Sequence, residues 1–378
     1  MSVPPSVKGW CPGAYRPMMS GDGLVVRVRP VLAQFKADVL RTICDLAETY
    51  GNGILELTNR ANLQLRGVTE NRLPDLLDAL GALGVLDADP ALEGRRNILT
   101  QPFWTAGDVT EQLSTALRSR LAELPDLPAK FGFAVDTGPA PMLTPCSADI
   151  RLERDTAGGL ILRADGADTG RTVTPDSAVD LLIELAHWFA DTAPHGTKRM
   201  ARVLGHTPLP ARWSGTASGP AAAPLAPGTT RHGQQVALPF GQIQASDLRE
   251  ILGPCARIRV TPFRILILDA PAPASHPAVI VKPGDPLLRV DVCPGASRCA
   301  SASVKTHDIA RQLAPHIAGR LHVSGCAKGC ARTAAADITL VGRDGLFDIV
   351  HNGTAQAAPT QTSIPASRIA QTLITEMT

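Results

Sequence analysis

Aromatic side chains are scarce in this chain of 378 residues. They make up 4 %, and only Tyr15 and Tyr50 are tyrosines. That scarcity speaks against a platform on which nucleic-acid bases stack. An excess of one charge is missing too: the net charge is +2, too little for a field that gathers polyanions. No apolar run approaches the roughly 20 residues of a membrane span. The opening MSVPPSVKGWCPGAYRPMM lacks the apolar centre of a secretory leader. The expectation is a cytoplasmic protein with neither nucleic acid nor membrane as partner. Its length allows two or three packed domains.

Against these absences stand four cysteines near the C-terminus. Cys293 and Cys299 lie in CPGASRC, and Cys326 and Cys330 in GCAKGC. The pattern is C-x5-C, 26 further residues, then C-x3-C. Two close thiol pairs brought together by a fold make a four-point socket, and four thiolates hold a 4Fe–4S cluster. Gly295, Gly325 and Gly329 let backbone approach a bulky group and turn N–H donors toward it. Zinc is the first rival, but its structural sites favour tighter pairs. Disulfides belong to secreted chains, and simple buried thiols are the remaining reading. Among the other cysteines, Cys44 and Cys255 read as core residues. Cys11, in the turn-rich Trp10-Cys11-Pro12-Gly13, is a candidate neighbour of the active site.

The chain also repeats itself. Residues 23–68 and 234–270 each read strand, helix, strand, and in both closing stretches a threonine precedes an arginine: Thr58 and Arg60, Thr261 and Arg264. A second echo follows each unit. SADIRLERDTAGGLILRADG answers AADITLVGRDGLFDIVHNG, with turn signals at Asp165-Gly166 and Asn352-Gly353. The reading is a tandem duplication. It has an arm and first half over 1–75, a first lobe over 76–213, a linker over 214–233, a second half over 234–290 and a cysteine-bearing lobe over 291–378. Only the second copy carries the four cysteines; Cys146 stands alone in the first.

The tandem halves, LTNRANLQLRG, RRNILTQP, LPAKFGF and the four-cysteine pattern together resemble the siroheme-type nitrite/sulfite reductase family, over roughly residues 20–350. The resemblance implies an α+β fold: two ferredoxin-like half-units about a pseudo-twofold axis, joined in one central sheet, with two α/β lobes. The opening Cys11-Pro12-Gly13, then Ser20-Gly21-Asp22-Gly23-Leu24, is similar to the branch that forms precorrin-3B in aerobic cobalamin synthesis. That branch implies an oxidoreductase, a mono-oxygenase that uses dioxygen and an electron donor. It hydroxylates precorrin-3A at the carbon bridging rings D and A and closes a γ-lactone. Its cofactors would be a 4Fe–4S cluster on Cys293, Cys299, Cys326 and Cys330, and a non-haem iron for which the nine histidines offer no motif. Cys330 matches the cysteine that bridges cluster and siroheme iron in the reductases.

Those reductases cage a small anion with two arginines and two lysines. Arg60, Arg96 and Lys130 match three of the four, and Gly132 stands at the last. Losing that cation removes charge a buried oxyanion needs, which favours oxygen chemistry. Lys328 replaces a common asparagine, and the gap between cysteine pairs is short for a reductase. A precorrin carries many carboxylates, which arginine binds with charge and direction. The expected contacts are Arg60, Asn62, Gln64 and Arg66 as one stripe of a strand, with Arg96, Lys130 and Arg264. The alternatives are a siroheme-dependent nitrite or sulfite reductase, and a non-catalytic tetrapyrrole-binding iron–sulfur protein.

Overall fold

The structure is a computed structural model that describes residues 12–271 and 276–376. Cys11 lies outside them. The described residues form four sheets.

The central unit is built from the two ferredoxin-like halves. In the first, strands run in the order Met18–Ser20, Gly23–Val28, Leu63–Val68, Ile54–Leu57, and the edge is completed by Gln242–Gln244 from the second half. In the second the order is Gly228–Thr230, Gly233–Ala237, Ile265–Leu268, Arg257–Val260, completed by Gln34–Lys36 from the first. Each half thus lends the other one short strand. The sequence reading of a single central sheet gives way to two sheets with exchanged edges.

A helix follows each lent strand. Ala37–Tyr50 buries Leu40, Ile43, Cys44 and Ala47, one stripe at helical spacing. It stops at Gly51, where a Cβ would sit 2.3 Å from the Arg66 carbonyl oxygen. Ala245–Leu252 is its counterpart and packs against it, with Arg249 reaching Asp45 and Glu48 across the pair. Both halves contribute to one continuous apolar core. The helix Leu73–Ala82 joins that core through Leu76 and Leu80, so the first lobe's sheet starts only at Ile98, later than the sequence boundary.

The lobes repeat each other strand for strand. In the first, Ile98–Thr100, Phe133–Asp136 and Ile150–Arg154 run parallel, then Leu160–Ala164 and Thr169–Val173 turn back antiparallel. In the second, Val290–Val292, Leu321–Ser324 and Ala336–Arg343 are parallel, followed by Leu346–Gly353 and Gln361–Ile364. Registers align Ile98, Phe133 and Ile150 with Val290, Leu321 and Ile338. The tight turn of the second hairpin is Asp344-Gly345, both at positive φ, as a two-residue turn requires. The expected linker is pinned at its ends: Thr216–Ala217 pairs into the first lobe and Gly228–Thr230 into the second half.

Candidate functional site

In the first central sheet, side chains alternate between the helix-covered core and an opposite, polar face. Cα partners across four strands put Arg27, Gln64, Glu56 and Gln242 in one row on that face. Arg27 is buried, and the Gln242 amide donates to the Glu56 carboxylate. The corresponding row of the second sheet is Gln235, Ile267, Arg259 and Gln34. There the first lobe closes in. The Arg259 guanidinium lies over the Trp104 ring at 4.8 Å and donates to the Pro102 carbonyl, and Phe103 stacks near His232 at 4.4 Å. One face stays polar; its mate is filled.

The hairpin loop 58–62 borders the polar face. Thr58 Oγ1 accepts the N–H groups of Arg60 and Asn62 at 3.2 Å each, and Ala61 takes φ 52°. These bonds end the ladder, so Arg60 and Asn62 leave the strand, and the expected four-residue stripe shrinks to Gln64 and Arg66. Arg60 Nη2 donates to the Lys130 carbonyl (2.8 Å) and to Ser147 Oγ (3.3 Å). Arg60, Asn62, Arg96, Asn97 and Ser147 line a small polar cleft of about 10 Å³. Arg96 is held by Glu93 at 2.5 Å and by the Arg29 carbonyl at 2.7 Å, and Glu93 also takes Arg29 Nη1 at 3.0 Å. Gly132 packs directly on this group: a Cβ there would lie 3.1 Å from the Asn97 oxygen and 3.5 Å from Arg60 Nη1.

Arg66 and Arg264 stand elsewhere. The Arg66 side chain is 4 % exposed and engaged by Asp22 and Glu56. Register makes Phe263 the counterpart of Arg60, and Arg264 that of Ala61. The two threonines do correspond, but the two arginines do not. Arg264 donates to the Val290 carbonyl at 2.8 Å and lies 3.6 Å from Asp291, both in the second half of the chain.

The four cysteines gather at one end of the second lobe. Cys293 and Cys326 follow neighbouring parallel strands, so both emerge at the same sheet edge. Cys293 is buried, Cys299 and Cys326 are half-buried and Cys330 is exposed. Burial pushes the Cys293 thiol up; the Gly325 and Gly295 N–H groups oppose this, and Cys299 and Cys326 reinforce it. Cys330 is exposed as a residue, but protein around its sulfur strips water from it and raises the thiol, with Lys328 opposing and Cys326 and Cys299 adding. Cys293 and Cys330 therefore each feel Cys299 and Cys326. The Gly325 N–H points at Cys293 Sγ from 3.0 Å. The last loop is held by Gln356, whose amide donates to the carbonyls of Ala327 and Lys328, and by Ser324 Oγ on the Cys326 carbonyl. Among the described residues no three His, Cys, Asp or Glu side chains converge on a single ion. A cluster spaces its thiolates around a cube instead of one point, and four thiols with a backbone donor on sulfur suit that group.

Cys146 is a core residue whose thiol burial pushes up to about 12. Register assigns the place of Cys293 in the first lobe to Gln101. Cys44 and Cys255 are buried. Sequence reasoning missed Arg27 and Arg29; their i, i+2 spacing in GLVVRVRP was the available signal.

Two ferredoxin-like halves with exchanged strands and two matched lobes define the nitrite/sulfite reductase class of fold. Residues 16–83 match the family described as nitrite/sulfite reductase ferredoxin-like half domain. The chain is 31 % identical to a precorrin-3B synthase of Sinorhizobium sp over 93 % of its own length and 84 % of the relative's. It is 24 % identical to the ferredoxin–nitrite reductase of Synechococcus elongatus, covering 88 % and 78 %. The solved structure of the Mycobacterium tuberculosis NirA protein superposes with a TM-score of 0.65 at 17 % identity, over 93 % of this chain and 79 % of that one. The chain belongs to the nitrite/sulfite reductase family, in its precorrin-3B synthase branch. No helix among the described residues is long and apolar enough to cross a membrane.

Proposed function

We propose that this protein is a cytoplasmic mono-oxygenase that converts precorrin-3A to precorrin-3B in aerobic cobalamin synthesis. One atom of dioxygen enters the carbon bridging rings D and A, and a ring A acetate closes a γ-lactone. The other atom leaves as water, with two electrons from an external donor. The observation that carries this reading is the asymmetry of the two central sheets. The polar row of the first sheet meets Arg298, the neighbour of Cys299, through Gln242, and the matching row of the second sheet is covered at Arg259 by Trp104.

Cys293, Cys299, Cys326 and Cys330 would hold a 4Fe–4S cluster. When bound it supplies electrons, which side chains cannot. Arg60, with Asn62, Gln64 and Lys130, would take substrate carboxylates, since guanidinium pairs fix both charge and direction. Arg27 extends that surface on the sheet face. Arg96, tied to Glu93, would hold the loop against Arg29 and contribute mainly field. Gly132 leaves Arg60 without the second lysine, which suits a neutral oxidant better than an oxyanion.

The test is incubation of the cluster-loaded protein with precorrin-3A, a reductant and isotopically heavy dioxygen. The expected product is a lactone carrying one heavy oxygen atom. Siroheme bands in the purified protein, with turnover of nitrite or sulfite, would overturn the assignment in favour of a reductase. A bound tetrapyrrole that emerges unchanged would leave a non-catalytic binder. Cys326→Ser is expected to abolish cluster absorbance.

A further inference from the structure

Arg66 is enclosed on every side by hydrogen-bond acceptors. Its Nε and Nη2 fork onto Asp22 at 2.9 and 2.7 Å, and Nη1 meets Glu56 at 3.1 Å. Nη2 also reaches Ser20 Oγ at 3.1 Å and the Arg298 carbonyl at 3.2 Å. That carbonyl collects two further donors, Ser20 Oγ at 2.6 Å and the Gly21 N–H at 3.2 Å. It belongs to the peptide that leads into Cys299. Gly21 backs directly onto the same peptide: a Cβ there would lie 3.0 Å from both Arg298 C and Cys299 N. On the far side the Arg298 guanidinium is tied to Gln242 Oε1 at 2.7 Å and to His307 Nδ1 at 2.9 Å. The peptide is gripped from two distant parts of the chain, and the Arg298 side chain is held from a third.

We propose that the Ser20–Asp22 turn and Arg66 are a positioning device for Cys299, fixing the 298–299 peptide and with it the direction of the thiolate. This rests on the reading of Cys299 as a cluster ligand. Three donors on one carbonyl leave that peptide little freedom, and the buried, ion-paired Arg66 cannot drift without breaking contacts to two carboxylates. Coupling between sites is reciprocal. A turn that favours the cluster-holding loop is itself held more firmly when the cluster is present.

The experiment uses the full chain, loaded with its cluster under anaerobic conditions, as wild type, Arg66→Ala, Arg66→Lys, Gly21→Ala and Cys299→Ser. Cluster release to an iron chelator is followed by absorbance, the reduced cluster by electron paramagnetic resonance, and the fold by circular dichroism. Arg66→Ala is expected to release the cluster about 10- to 100-fold faster and to alter its resonance signature. Arg66→Lys, which keeps charge and loses the fork, should recover part of the rate. Gly21→Ala leaves every Arg66 ion pair in place and should still speed release, which keeps the test decisive if Arg66→Ala folds poorly. Wild-type release and signature in both Arg66→Lys and Gly21→Ala, with no cluster in Cys299→Ser, would overturn the positioning role and leave the ligand reading intact. A four-iron cluster retained in Cys299→Ser would overturn both.

Discussion

Asp136 is a fully buried carboxyl at the end of a first-lobe strand. Burial pushes it up to about 6, against the pull of the Leu143 and Met142 N–H groups. The folded protein therefore binds a proton that the unfolded chain has already released between the ordinary value of 3.8 and about 6. Stability from this group is complete below that window and is lost as pH rises through it, by at most about 3 kcal/mol. Asp136→Asn should gain on wild type in melting temperature as pH increases from about 4 to about 7; parallel curves would refute this. Arg60 makes the second residue-scale prediction. Losing its charge-assisted contacts in Arg60→Ala should raise the precorrin-3A dissociation constant about 10- to 100-fold, measured by equilibrium binding. Arg66 shows the limit of reading single residues. Alternation places a guanidinium on a face, but it cannot say that Asp22 and a peptide 232 residues away already occupy it.

At the scale of elements, the hairpin loops are the least legible part. Arg60 and Asn62 alternate with Leu63 and Leu65 as a strand would, and no glycine or proline interrupts them. The break comes from one hydroxyl, Thr58 Oγ1, which takes two backbone donors. Thr261 does the same work in the second copy: its Oγ1 donates to the Ile265 carbonyl and accepts the Phe263 N–H. Thr58→Val keeps the shape and strands two N–H groups, so it should cost about 1–3 kcal/mol in chemical denaturation. It should also weaken substrate binding, because Arg60 rides on the loop. The lobes were easier to read. ADIRL and ADITL fall on register-matched strands, since buried strands carry long apolar runs that survive divergence.

For the whole molecule, the duplication was visible in sequence and the exchange of strands was not. Gln34–Lys36 and Gln242–Gln244 have three residues each, too few for any period to show. The exchange makes the halves interdependent. A chain cut within 218–227 should yield fragments that do not fold separately and that regain native circular dichroism when co-expressed. Independent folding of either fragment would contradict the shared core.

The filled face of the second sheet sets the two halves apart. Trp104 donates to the Leu32 carbonyl at 2.9 Å and shields the Arg259 charge. Removing it alone would open a hole and bare a cation without restoring the thiols its mate possesses. The aromatic plug works as a wedge that keeps the two copies unlike: the second sheet is closed against the first lobe at Arg259, while the first keeps its polar row of Arg27, Gln64, Glu56 and Gln242.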